Sequence, residues 1–211
     1  MKDENCMKEA IFNFAYNEAL KDATLMRAFK GEKKYLFKCE EARKTVKDYI
    51  DSIIEPDGEN LSVKETINTV ADQFNNYIKA QCPKNDNERP VFSFGNAQKL
   101  INMTAKYIFI SGYAKKDEDY QEFRERFKDC HCPMDTRMKN EAVDCFDKLD
   151  AEEAKEITDK YPNWKKLLKD TTWSRIDSKD LCAYQCFQDI IKCLAAKEGI
   201  IPLEYDFQHW S

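Results

Sequence analysis

The most constraining stretch of the sequence is a segment near the middle of the chain, from about Asn96 to Ile110, that is apolar on nearly every side. A helix that is hydrophobic all round is buried on all sides in a globular protein. The segment therefore predicts a central helix around which the other elements pack. Lys99 and Lys106 are its charged exceptions, and the apolar positions that define it are Ala97, Leu100, Ile101, Met103, Tyr107, Ile108 and Ile110.

The rest of the chain shows the spacing of apolar residues that is typical of amphipathic helices. Five glycines and six prolines are few for 211 residues, and strand-like alternation is confined to residues 35–37. The pattern predicts an all-α fold, an orthogonal multi-helix assembly around the central helix at about 96–110. Helices are expected to begin near Lys8, Cys39, Ser62, Asp117, Asp135, Ala151 and Ser178.

The length favours one helical domain over residues 1–211, and the alternative is two helical lobes that meet near 82–95. Turn-forming residues interrupt the helical pattern in that region. Gly31 is expected to end the first helix, and the turn 56–58 the second. From Pro202 onward we expect a short extended tail that carries Tyr205, Phe207 and Trp210.

No apolar run reaches the roughly 20 residues that a membrane-spanning helix needs. The first residues lack the basic flank and apolar run of a secretory signal, so we expect a cytoplasmic protein without a membrane partner. Nine dispersed cysteines then indicate reduced thiols.

The net charge of −5 weighs against nucleic-acid binding, because such surfaces are usually basic. A local patch would still suffice for binding, since the field depends on where the charges lie. Balanced, solvated helix faces are the simpler interpretation of the basic clusters, which are Lys33–Lys34, Lys115–Lys116, Arg124–Lys128 and Lys165–Lys166.

The sequence lacks the residues that several classes of enzyme need for catalysis. There is no Gly-x-Ser-x-Gly motif and no glycine-rich phosphate loop, and the chain has two histidines. Cys130, His131, Cys132 and Cys145 could supply four zinc ligands, but their spacing does not form two paired knuckles. We therefore expect no metal and no cofactor, and lysine and carboxylate chemistry remains.

Two short segments carry such residues. Gly95 to Lys99 opens the central helix with a lysine in its first turn, where a helix N-terminus can bind an anion. An amine beside an apolar helix can have a lowered pKa, which Schiff-base chemistry requires. In the second segment, Pro133 precedes Asp135, which is placed to cap the next helix.

The first segment resembles the hairpin-and-lysine motif of the helix-hairpin-helix DNA glycosylases. The second, Pro133-Met134-Asp135-Thr136-Arg137, is similar to the segment of that family that carries its catalytic aspartate. The order of the lysine and the aspartate is the same, and the Pro-x-Asp-x-Arg form is nearest to the archaeal 8-oxoguanine glycosylases.

The resemblance implies a DNA base-excision glycosylase/lyase that flips an oxidised purine out of double-stranded DNA. Lys99 would form the Schiff base, and Asp135 would stabilise the positive charge and assist proton transfer. The side-chain ends of these two residues should then lie within about 10 Å in one cleft. The residues implied to contact DNA are Gly95, Asn96 and Ala97 through their backbone, Gln98 and Arg137 in the same two motifs, and Trp173 as a stacking residue.

Two plainer interpretations stand beside this one. In the first, Lys99 is a lysine that packs its stem on the fold and reaches the surface, Asp135 is a helix cap and Trp173 is a core residue. In the second, the chain is a non-enzymatic helical interaction or regulatory module that acts through its aromatic C-terminal tail.

Overall fold

The computed structural model describes residues 2–25, 29, 33–54, 61–82, 91–113 and 120–209. Within these ranges the chain forms helices and no strand, so the all-α prediction is confirmed. The predicted stop at Gly31, the turn at 56–58, most of the segment 82–95 and Trp210 lie outside the described residues. The α-helices are α1 Lys2–Ala23, α2 Lys33–Leu36, α3 Glu40–Ile54, α4 Val63–Gln81, α5 Phe94–Tyr113, α6 Tyr120–Arg126, α7 Thr136–Asp144, α8 Ala151–Lys160, α9 Trp164–Asp170, α10 Cys182–Lys197 and α11 Pro202–Gln208.

The predicted central helix is α5. It packs along α1 and also contacts α4, α6 and a short 3-10 turn at Trp173–Arg175. In the second half of the chain, α10 contacts α7, α8, α9 and α11. The buried apolar side chains of both halves belong to one continuous core, which runs from Phe12 on α1 to Tyr205 on α11.

Helix caps explain several boundaries. Ser62 accepts a hydrogen bond from the backbone N–H of Glu65, as the capping pattern predicts. The central helix starts at Phe94, two residues before the predicted start, because the Ser93 hydroxyl accepts from the N–H of Asn96. Asp135 caps α7 as expected.

The expected extended tail is wrong, because residues 202–208 form α11. Pro202 occupies the first helical position, where its missing N–H costs nothing. The Glu204 carboxylate accepts from the backbone N–H of Ile201, which fixes the start of the helix. Tyr205 is fully buried, and Phe207 is about half exposed, so the aromatic residues do not form one exposed surface.

The extended part of the chain that matters for the site is residues 130–135, between α6 and α7. It runs through the interior beside α5 and α10, and Cys132 and Met134 are fully buried. This segment brings Asp135 to the start of α5.

Candidate functional site

Lys99 and Asp135 are in direct contact. The Lys99 Nζ atom lies 3.0 Å from Asp135 Oδ2, and the two side chains are 11% and 19% exposed. The second carboxylate oxygen, Oδ1, accepts from the backbone N–H of Met138 at 2.9 Å and so caps α7. One oxygen is thus fixed by the helix, while the other faces the amine at the edge of the fold.

Trp173 covers the amine. Its ring centroid lies 4.9 Å from Lys99 Nζ, a distance at which a cation is attracted to the face of an indole ring. Trp173 belongs to the 3-10 turn that packs on the first turn of α5, and its side chain is partly buried against the core. The predicted nucleophile, its carboxylate and the predicted stacking residue are therefore neighbours.

Gly95 allows this close packing. A Cβ atom at Gly95 would lie 1.7 Å from the carbonyl oxygen of Trp173, so no other residue fits without moving the turn. The backbone N–H of Gly95 donates to the carbonyl of Ile176 at 3.3 Å, and the Ser93 hydroxyl donates to the carbonyl of Ser174 at 2.8 Å. The glycine serves helix packing, where we had expected a contact with phosphate.

The predicted backbone contacts of Asn96 and Ala97 with DNA phosphate are also corrected by the structure. Asn96, Ala97 and Gln98 are each 0% exposed. The N–H of Asn96 donates to the Ser93 hydroxyl, and that of Ala97 donates to the Ser93 carbonyl. The donors at the start of α5 are thus used within the protein.

Gln98 holds the segment that carries Asp135. Its Nε2 donates to the carbonyl of Met134 at 2.8 Å, and its Oε1 accepts from the N–H of Met134 at 3.1 Å. Gln188 on α10 holds Cys132 in the same way, at 2.8 and 3.1 Å. These two glutamine contacts satisfy buried backbone groups of an extended segment that has no strand partner. Gln188 was not predicted from the sequence, although an amide on the apolar face of a helix is a usable signal.

A chain of neutral hydrogen bonds continues from Gln98. Asn102 donates from Nδ2 to Gln98 Oε1 at 3.2 Å and to the Tyr184 hydroxyl at 3.1 Å. The Tyr184 hydroxyl lies 2.8 Å from Nδ1 of His131. When the ring proton of His131 is on Nε2, the Tyr184 hydroxyl, which accepts from Asn102, donates its own proton to Nδ1. Burial lowers the pKa of His131 to about 4, which agrees with a neutral ring.

A second lysine–aspartate pair lies farther along α5. Lys106 Nζ is 2.5 Å from Asp206 Oδ2, and these side chains are only 5% and 3% exposed. Burial raises the pKa of Asp206, the Lys106 ammonium opposes that rise, and the Asp135 carboxylate adds to it. The two pairs therefore belong to one electrostatic cluster, although Lys106 and Asp206 are closed to solvent.

Two exposed arginines lie within two residues of Asp135 or Trp173 along the sequence. Arg137 is in the first turn of α7, two residues after Asp135, and Arg175 ends the 3-10 turn that carries Trp173. Both side chains are exposed, and the structure shows no ion pair for either one within the described residues. Arg175 was not singled out from the sequence, because nothing there placed its turn against α5.

The four candidate zinc ligands have separate partners. Cys130 lies 4.0 Å from the Tyr49 hydroxyl, His131 contacts Tyr184, and Cys145 contacts Glu141. Cys132 is fully buried and its pKa is raised by burial. In the part of the chain that the structure describes, no group of three or more potential ligands is arranged to hold a metal ion.

A separate cleft of about 890 Å³ lies between the end of α3, the start of α4 and α6. Its lining mixes acidic, basic and apolar side chains and includes neither Lys99 nor Asp135. The lysine–aspartate pair therefore lies outside this cleft.

No protein-family model, no curated protein and no solved structure matches this chain. Among the described residues, no helix is both long and apolar enough to cross a lipid bilayer. The geometry and chemistry of the site are therefore what bears on function.

Proposed function

We propose that the chain is a DNA base-excision glycosylase/lyase that acts on an oxidised purine through a Schiff base at Lys99. The observation that carries the proposal is the 3.0 Å contact between the Lys99 amine and an aspartate that caps a helix, beneath a tryptophan ring. The resemblance of the two motifs to the helix-hairpin-helix glycosylases supplies the reaction class.

Lys99 and Asp135 have different roles in the proposed reaction. Asp135 Oδ2 takes a proton from the Lys99 ammonium, and the free amine attacks C1′ of the damaged nucleotide. The C1′–N9 bond breaks as the new C1′–N bond forms, and its electron pair leaves with the purine, which takes the proton from Asp135. The Asp135 carboxylate then takes one proton from the new C1′–N ammonium and passes it to O4′ as the C1′–O4′ bond breaks, which leaves the protonated Schiff base between Lys99 and C1′. The Asp135 carboxylate also stabilises the positive charge that develops on the sugar.

The surroundings of the pair suggest how the substrate would bind. A flipped base needs an aromatic surface, and Trp173 provides a partly exposed ring next to the amine. Arg137 and Arg175 are exposed and can contact phosphates, which replaces the backbone contacts first expected from Asn96 and Ala97. In this proposal the buried residues at the start of α5 support the site from inside.

The test is base release and strand cleavage on a duplex that carries a single 8-oxoguanine, compared with the undamaged duplex. We expect release only from the damaged strand, and loss of release in Lys99→Gln. Asp135→Asn should slow release by at least about 100-fold with little change in DNA affinity, because its charge matters mainly in the transition state.

Lys165→Gln is the matched control, since Lys165 is an exposed lysine on α9. It should release base at the rate of the wild-type protein. Absence of release from every oxidised purine tested, together with no binding to DNA at low salt, would refute the proposal and leave the interaction module as the better interpretation.

A further inference from the structure

Gln98 and Gln188 each form a pair of hydrogen bonds with residues 130–135, and the pair at Gln98 lies closer to Lys99 and Asp135. Gln98 directly precedes Lys99, and Met134 directly precedes Asp135. The paired hydrogen bonds between Gln98 and Met134 thus lie one residue before the contact between Lys99 and Asp135 on both chain segments. Gln188 makes the same pair of bonds to Cys132, farther back along the segment.

The orientation of the Gln98 amide is fixed by its partners. Its oxygen accepts from the N–H of Met134 and from Asn102 Nδ2, and its nitrogen donates to the Met134 carbonyl. A reversed amide would place like groups against each other at all three contacts. The side chain is 0% exposed, so water does not replace a lost bond at low cost.

From this geometry we infer that Gln98 is a positioning residue, which sets the register between α5 and residues 130–135 so that Asp135 Oδ2 meets the Lys99 amine. Gln98 acts through Met134 and touches neither the substrate nor the reacting atoms. Its effect on a reaction rests on the proposed function, whereas its effect on the lysine–aspartate contact does not.

The variant Gln98→Leu removes both bonds to Met134, together with the bond from Asn102, and keeps a side chain of similar size. We expect single-turnover base release to slow by about 10- to 100-fold, the size of effect that a misplacement near 1 Å produces, with DNA affinity changed less than about twofold. In an Asp135→Asn background the same change should add little, because the contact it positions is already lost.

Gln188→Leu is the matched control. It removes an equivalent pair of bonds from Cys132 on the same buried segment and should destabilise the fold similarly. Its rate of base release should stay within about threefold of the wild-type rate. Equal slowing in the two variants would show a general structural role and would overturn the inference.

A measurement without DNA separates this inference from the proposed reaction. Acetylation of each lysine by a limiting amount of acetic anhydride at pH 8, followed by peptide mass spectrometry, gives the reactivity of the Lys99 amine. We expect its reactivity relative to Lys165 to change at least about threefold in Gln98→Leu and to stay unchanged in Gln188→Leu, because only the first variant alters the Asp135 contact.

Gln98→Met serves as the second variant if Gln98→Leu does not fold. It keeps the length of the side chain and adds no charge, but it makes neither bond to Met134, so it should change Lys99 reactivity in the same way. Unchanged reactivity in a folded Gln98 variant would overturn the inference. Changed reactivity in a protein that releases no base would support the positioning role and refute the glycosylase.

Discussion

Acid should destabilise this fold through one identifiable group, His131. Its Nδ1 lies 2.8 Å from the Tyr184 hydroxyl, which also accepts from Asn102, and the ring is held against the buried extended segment. A protonated ring at this position would lose much of its hydration, so the charged form is disfavoured in the folded protein. Burial accordingly lowers the pKa of His131 to about 4 from the ordinary value of 6.5.

The sign and size of the effect follow from linkage between proton binding and folding. Between pH 6.5 and about 4 the unfolded chain binds a proton at His131 and the folded protein does not, so stability falls as the pH falls through this range. Each pH unit is worth about 1.4 kcal/mol for one proton. The contribution of His131 is full above pH 6.5, and its loss approaches about 3 kcal/mol near pH 4, where the folded protein begins to bind the proton as well.

Urea unfolding followed by circular dichroism, at several pH values from 7.5 to 4, would measure this contribution. Carboxylates also titrate toward the acid end, so the comparison variant is His131→Gln, which keeps an acceptor for Tyr184 but does not titrate. We expect the free energy of unfolding of the wild type, minus that of the variant, to decrease steadily from pH 6.5 to pH 4. A difference that is independent of pH would refute the argument that the ring must be neutral.

Two further predictions concern the packing of Gly95 and the buried ion pair of Lys106. Gly95→Ala should cost at least about 2 kcal/mol of stability and displace Trp173, because the added Cβ atom would meet a backbone oxygen at 1.7 Å. Gly199→Ala, at φ +69 with open space around the Cβ position, should cost only about 1–2 kcal/mol of backbone strain, and an equal loss in both variants would contradict the packing argument. Lys106→Met should cost about 3–5 kcal/mol because it leaves Asp206 charged and buried, while the double variant Lys106→Met/Asp206→Leu should recover much of that loss in urea unfolding.

Much of the fold is predictable because its helices and caps depend on local sequence patterns. The all-round apolar segment became the central helix α5, and the caps at Ser62 and Asp135 lie where short-range hydrogen bonding places them. The contact between Lys99 and Asp135 was expected only because a family resemblance linked two segments that are 36 residues apart. Spacing along a sequence does not by itself join an extended segment to a helix.

The incorrect predictions concern features that depend on tertiary contacts. Glycine at position 95 indicates either an approaching ligand or an approaching backbone, and only the 3-10 turn at Trp173 decides for the backbone. Residues 202–208 form a helix because Tyr205 and Asp206 find buried partners, which a short segment does not reveal. Buried glutamines are likewise recognisable only when the backbone groups that they satisfy are in place.

If the Lys99 amine is the nucleophile, the reaction passes through a covalent bond between Lys99 and the sugar, and this bond can be trapped by reduction. The protein is incubated with a duplex that carries one 8-oxoguanine, the Schiff base is reduced with borohydride, and the modified residue is located by peptide mass spectrometry. We expect one adduct, on Lys99, that is absent from Lys99→Gln and slower to form in Asp135→Asn. No adduct, or an adduct that persists at another lysine in Lys99→Gln, would contradict it.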